Sequence, residues 1–106
     1  MTAAVRNLLA ELRLGFEGVY RERLRGLYLY GSYARGEQEL HSDLDVLLIL
    51  DRIDTYGMEI DRTSDLVSSV SLRHGISISR VFVTEEAWRD VQGGFLCRVR
   101  QEAIAA

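Results

Sequence analysis

Apolar residues recur at intervals of three and four positions along residues 3–25. They are Val5, Leu8, Leu9, Leu12, Phe16 and Val19. This spacing places them on one side of a helix, so the segment predicts an amphipathic helix. Gly26 is expected to end that helix, and the aromatic-rich residues 27–30 predict a short strand.

The pattern then changes to a turn, a loop and a buried strand. Residues 31–36 predict a tight turn that opens a short helical piece, and residues 37–42 predict a polar loop. The run LDVLLIL, Leu44–Leu50, is almost wholly apolar and has no helical period. Such a run is typical of a strand that is covered on both faces of a mixed α/β sheet.

A second apolar stripe predicts another helix. Its members are Tyr56, Ile60, Val67 and Val70. His74 and Gly75 are expected to close this helix, because cationic side chains favour the last turn and glycine favours the left-handed cap. Residues 76–83 predict a third strand, with Thr84 as the N-cap of a helix that reaches about Gln92.

Two glycines are expected to stop that helix, and residues 95–103 predict one or two final helical turns. The order of elements predicts an α/β (α+β) fold with a small mixed sheet. Helices should pack mainly on one face of the sheet and leave the other face partly open. There is no repeat, low-complexity tract or proline, so residues 1–106 are expected to form a single domain.

The composition is that of an ordinary globular protein. Apolar residues make up 47% of the chain and the net charge is −3. No apolar run approaches the roughly 20 residues that span a bilayer, and the start lacks the apolar core of a signal peptide. Cys97 has no cysteine partner, so the expected location is a reducing cytoplasm.

Basic residues are all arginine, and lysine is absent. Lysine bases, Schiff bases and a Walker-type phosphate lysine are therefore excluded. Because the overall charge is acidic, the chain lacks the electrostatic footprint of a nucleic-acid binder. Arginine clusters at 21–25 and 98–100 are interpreted as solvated surface.

Asp43 and Asp45 are the first candidates for chemistry. Side chains two positions apart in a strand point to the same face, so the two carboxylates should converge. Carboxylates held together repel, and a divalent cation removes the repulsion. Mg²⁺ is the expected ion, because it takes one or two carboxylates together with phosphate oxygens and waters.

Gly31 and Ser32 follow the preceding strand directly and are the second candidates. A glycine lets an anion approach the backbone, free N–H groups at a turn favour it, and the serine hydroxyl adds a donor. Arg35 could donate to the same phosphates as a fork. The alternative for Arg35 is a surface ion pair with Glu37 or Glu39.

Together these residues match a known pattern. Gly31-Ser32, ten intervening residues and Asp43-Leu44-Asp45 resemble the GS-x₁₀-DxD motif of the nucleotidyltransferase superfamily related to DNA polymerase β. The stretch YGSYARGEQELHSDLDVLLIL is similar to the minimal nucleotidyltransferase (MNT) branch, and LRHGISISRVFVTEEAW resembles its later helix–strand–helix.

The resemblance implies a function. Gly31 and Ser32 would bind the triphosphate, and Asp43 and Asp45 would ligate Mg²⁺ and serve as the catalytic residues. The implied reaction moves a nucleoside monophosphate onto a hydroxyl; the expected donor is ATP, which would transfer AMP, and another nucleoside triphosphate is the alternative. MNT proteins are typically antitoxins of a toxin–antitoxin pair and modify a helical HEPN partner protein.

One element of the superfamily pattern is missing. The resemblance implies a third carboxylate on the later strand, at Ser79 or Val81, and neither residue is acidic. Glu85, Glu86 and Asp65 are weaker candidates for that role. The alternative function is therefore a catalytically degenerate nucleotide-binding domain that neutralises or scaffolds its partner by contact.

Overall fold

Two long and three short helices surround a four-stranded sheet in the computed structural model, which describes residues 1–106. The helices are α1 (Ala3–Tyr20), α2 (Ser32–Arg35), α3 (Tyr56–His74), α4 (Glu85–Asp90) and α5 (Gly94–Glu102). The strands are β1 (Leu24–Tyr30), β2 (Leu44–Leu50), β3 (Ile78–Thr84) and β4 (Ile104–Ala105). Their order in the sheet is β3-β2-β1-β4.

The sheet is mixed, as the sequence predicts. Strand β1 runs antiparallel to both β2 and β4, and β2 runs parallel to β3. The parallel pair requires a crossover, and α3 supplies it between β2 and β3. The predicted fold class is therefore confirmed. None of the five helices is both long and apolar enough to cross a bilayer.

Helices α1 and α3 cover the first face of the sheet. Their apolar stripes pack against the side chains of alternate strand positions, which form the larger core. The fully buried strand residues on this face are Leu27, Leu29, Leu44, Val46, Leu48 and Leu50. The continuous apolar run of β2 thus reflects burial on both sides, because Leu47 and Ile49 are buried on the second face.

Helices α4 and α5 cover part of the second face. Leu96 and Val99 of α5 pack with Tyr30 of β1 in the smaller core. At the other end of this face, the rings of Tyr28 and Trp88 stack with their centroids 5.2 Å apart. This second layer places the end of α5 beside the end of β1.

Several predicted boundaries are wrong at the start of β1. Helix α1 ends at Tyr20, which is buried, and a 3₁₀ turn at Arg21–Arg23 leads into a strand that already includes Gly26. The Nε atom of Arg23 donates to Asp51 over 3.0 Å, and this ion pair fixes the turn against the end of β2. A tertiary contact therefore stops the helix before the glycine does.

Two glycines of α1 allow a test of the packing between α1 and α3. Gly18 has no atom within 4 Å of the position that an added Cβ would take, whereas a Cβ at Gly15 would overlap the methyl groups of Leu66. We expect Gly18→Ala to raise the free energy of unfolding by about 0.5–1 kcal/mol, because alanine is the better helix former. Gly15→Ala should raise the free energy of unfolding by less, since the side chain of Leu66 must move to make room for the new methyl group. Chemical denaturation of both variants measures the difference, and equal gains would contradict the tight contact.

Candidate active site

The candidate site lies where β1 ends beside the start of β2. The register pairs Tyr30 with Asp45, so Gly31 follows immediately at the edge of the aspartate pair. Gly31 has φ +77° and ψ −157°, a conformation that is essentially restricted to glycine. A Cβ at this position would overlap Oδ2 of Asp45 and stand 3.1 Å from its Cγ. The turn and the carboxylate are therefore in direct contact.

Asp45 lies on the second face of the sheet, opposite Tyr30, and Asp43 lies two residues before it in the chain. Asp45 is half-buried on β2, and Asp43 is exposed just before the strand begins. Burial raises the pKa of the Asp45 carboxyl above its ordinary value, and the negative charges of Asp43 and Glu102 raise it further. Burial and the charge of Asp45 also raise the pKa of Tyr30 to about 12. The site therefore concentrates negative charge, which a cation would relieve.

Ser32 and Arg35 begin and end the short helix α2. The N–H groups of Ala34 and Arg35 both donate to the carbonyl of Gly31, which closes the turn. Arg35 is exposed, and its Nε donates to Glu37 Oε2 over 3.3 Å. This is one of the two ion pairs considered for Arg35 from the sequence, and none forms with Glu39.

Glu102 is the residue at this site that sequence reasoning missed. Its Oε2 accepts a hydrogen bond from the backbone N–H of Gly31 at 2.8 Å and another from Nη1 of Arg35 at 2.7 Å. Leu96, Val99 and Glu102 are spaced by three, so all three point to the sheet. That spacing is the signal in the sequence, but it acquires meaning only once α5 is placed on the second face.

The residue beside Asp45 on the parallel strand is Ser79. Val81 pairs with Leu47, two positions further into the sheet. Of the two positions that the resemblance offers for a third acid, Ser79 is therefore the one adjacent to Asp45. Strand β3 carries no carboxylate along its length.

The other acidic candidates lie elsewhere. Glu85 and Glu86 begin α4 after the far end of β3, and Glu85 lies 3.7 Å from a guanidinium nitrogen of Arg25. Asp65 is exposed on α3, which covers the first face of the sheet. None of the three is positioned to join Asp45.

The residues present fit a metal only when it is shared with a phosphate. No group of three or more histidine, cysteine, aspartate or glutamate side chains is arranged to hold a metal ion. Asp43 and Asp45 would hold Mg²⁺ together with phosphate oxygens and waters, which is the kind of ligand set that this ion prefers. The backbone of Gly31 lies directly against the Asp45 carboxylate with no Cβ between them, so a phosphate bound at the turn would lie beside that carboxylate.

Comparisons with known proteins give a consistent family. The family model described as Polymerase beta, Nucleotidyltransferase matches residues 19–88. Putative protein adenylyltransferase MJ0604 of Methanocaldococcus jannaschii is 34% identical over 67 residues, which cover 63% of this chain and 61% of that protein. Putative protein adenylyltransferase MJ0141 of the same organism is 30% identical over 75 residues, 71% of this chain and 75% of that protein. The chain thus spans about three fifths of the first relative.

Three solved structures share the fold. A toxin–antitoxin solved with AMP-PNP has a TM-score of 0.57 at 19% identity and covers 90% of this chain and 70% of that chain. The toxin–antitoxin MntA–HpeT, in a variant with two aspartates changed to glutamate, scores 0.58 at 15% identity with the same coverage. A putative nucleotidyltransferase from Sulfolobus solfataricus scores 0.58 at 17% identity and covers 99% and 86%.

Proposed function

Because the chain belongs to the polymerase β nucleotidyltransferase family, we propose that it transfers AMP from ATP to a hydroxyl of a partner protein. The partner that we propose is a helical toxin of the HEPN type, with this chain as its antitoxin. Relatives named as protein adenylyltransferases support the reaction, and the toxin–antitoxin folds support the setting.

The observation that carries the proposal is the contact between Gly31 and Asp45. In the proposed reaction, one phosphate group must contact both the phosphate-binding turn and the site of the metal-binding carboxylate. Gly31 meets that requirement, because it has no Cβ and its backbone lies directly against the Asp45 carboxylate. It also explains why the turn begins with glycine, since any other residue would push the carboxylate away.

Each residue has a distinct task in the proposed reaction. The N–H of Gly31, the hydroxyl of Ser32 and the guanidinium of Arg35 bind phosphate oxygens as hydrogen-bond donors. Asp43 and Asp45 hold Mg²⁺, which when bound neutralises the charge that develops on the phosphates. The acceptor hydroxyl attacks the α-phosphorus and pyrophosphate leaves, so catalysis depends on positioning more than on covalent chemistry.

A second function is favoured by one specific observation. Ser79, which is not acidic, stands beside Asp45 where an acid would assist the acceptor hydroxyl. A chain without that assistance can still hold a metal–nucleotide, but its transfer rate would fall. The second candidate is therefore a nucleotide-binding domain that neutralises or scaffolds its toxin by contact.

Labelled ATP separates the two functions. The protein is incubated with Mg²⁺, a helical HEPN partner, and ATP labelled at either the α- or the γ-phosphate. We expect the α-label to move to the partner and the γ-label to leave as pyrophosphate. If neither label moves and the partner is nevertheless inhibited, the contact function replaces the transferase. Transfer of the γ-label would instead indicate a kinase and contradict both proposals.

A further inference from the structure

The carboxylate of Glu102 makes the two contacts that the proposed function assigns to a phosphate. One of its oxygens accepts from the N–H of Gly31 and from the guanidinium of Arg35, at 2.8 and 2.7 Å. Both are short, charge-assisted hydrogen bonds to an anion. Glu102 thus occupies the donors of the turn in the same way that a phosphate oxygen would.

We infer that Glu102 is a built-in competitor of the nucleotide, and that the end of α5 must withdraw before ATP binds. This inference rests on the proposed function, because it names what regulates that same site. The same oxygen of Glu102 accepts both hydrogen bonds. A phosphate that takes the N–H of Gly31 must therefore also disturb the contact between Glu102 and Arg35. Nucleotide binding and the Glu102 contacts are therefore mutually exclusive.

Charges of both signs lie near the carboxylate of Glu102. The guanidinium of Arg35 attracts this carboxylate, whereas the negative charge of Asp45 repels it. Its side chain is 24% exposed, which allows water to replace the lost hydrogen bonds.

The backbone that follows Glu102 pairs with the sheet over a short stretch. Strand β4 consists of Ile104 and Ala105, both exposed, and pairs with β1 at two positions only. Beyond it, the N–H of Ala106 donates to the carbonyl of Leu27, and Arg13 donates to the carbonyl of Ala106. A short edge strand of this kind is among the segments that open locally at low free-energy cost.

A role as a third metal ligand is the competing use of the same side chain. The geometry disfavours it, because the Glu102 oxygen nearest the turn is directed at two donors. The acidic side chains also do not form a group that is arranged to hold a metal. The two uses predict opposite effects when the charge is removed.

The test is calorimetric titration of Mg²⁺–ATP into the protein and three variants. Glu102→Gln removes the charge with little change of shape, and Glu102→Ala removes the acceptor. Glu37→Gln is the matched control, because Glu37 also pairs with Arg35 but does not contact Gly31. We expect both Glu102 variants to bind Mg²⁺–ATP about three- to tenfold more tightly, because a larger fraction of the molecules has the donors of Gly31 and Arg35 free to bind the nucleotide. Glu37→Gln should change the affinity by less than about twofold.

The amide of Gly31 provides a readout without nucleotide. In ¹⁵N-labelled protein, Glu102→Ala should shift the Gly31 resonance and speed its hydrogen exchange, while Glu37→Gln leaves both unchanged. Equal affinity of Glu102→Gln and the unmodified protein overturns the inference and leaves the proposed function intact. Weaker binding overturns it in favour of a metal-ligand role. If no form of the protein binds Mg²⁺–ATP, the inference and the proposed function both fail.

Discussion

Asp45→Asn should abolish AMP transfer and at the same time make the metal-free protein more stable. The loss of transfer should be on the order of 10³-fold or more, because the proposed Mg²⁺ site loses one of its two carboxylates. The gain in stability follows from the raised pKa of Asp45, which burial and the charge of Asp43 cause. The two opposite effects would identify a residue that is kept for chemistry at a cost to folding.

The sign of the stability effect follows from linkage. A carboxyl whose pKa is higher in the folded than in the unfolded chain is penalised when it ionises in the folded state. At neutral pH Asp45 is therefore unfavourable to folding, and the penalty fades as the pH falls through the folded-state pKa toward the lower unfolded-state pKa. Asparagine carries no charge and escapes this penalty. At pH 7 the free energy of unfolding of Asp45→Asn should therefore exceed that of the unmodified protein by less than about 1 kcal/mol, and the difference should shrink in acid.

Thermal denaturation with and without Mg²⁺–ATP measures both effects together. The unmodified protein should gain about 2.7 kcal/mol at a ligand concentration 100 times its dissociation constant, and Asp45→Asn should gain almost nothing. Asp65→Asn on the exposed surface of α3 is the matched control and should alter neither quantity. If Mg²⁺–ATP stabilised Asp45→Asn as much as the unmodified protein, the metal-binding role of Asp45 would be contradicted.

The sequence predicts elements well where their pattern is local. The boundaries of β2 and the end of α3 are correct, because an apolar run and a cap at Gly75 are determined by neighbouring residues. The N-cap is also correct, since the Thr84 side chain accepts from the N–H of Ala87. The expectation that Asp43 and Asp45 point to the same face rests on the alternation of side chains in a strand, which is local as well.

Features that depend on distant contacts are not predictable in this way. Helix α1 stops at Tyr20 because Arg23 is held by Asp51, nearly thirty residues away. Strand β4 has only two residues and exists because β1 offers it an edge. Whether Ser79 or Val81 lies beside Asp45 depends on the register between β2 and β3, two parallel strands that are separated in the sequence by a long helix.

Gly31→Ala should be the most damaging single-methyl change in the chain. The conformation at Gly31 costs any other residue about 1–3 kcal/mol, and the new methyl group must also displace the Asp45 carboxylate. We expect a total loss of about 3 kcal/mol or more in the free energy of unfolding, together with loss of Mg²⁺–ATP binding. Urea denaturation and calorimetric titration measure the two losses.

Gly36→Ala is the control, because it separates backbone strain from the contact with Asp45. Gly36 also has a positive φ, +71°, but no atom lies within 4 Å of its Cβ position. Its substitution should cost about 1–2 kcal/mol from strain alone. Adding Asp45→Ala to Gly31→Ala should recover at least about 1 kcal/mol, whereas adding it to Gly36→Ala should recover nothing beyond its own effect. Equal coupling in the two pairs would mean that glycine is required at position 31 for its backbone conformation alone, and not for its contact with Asp45.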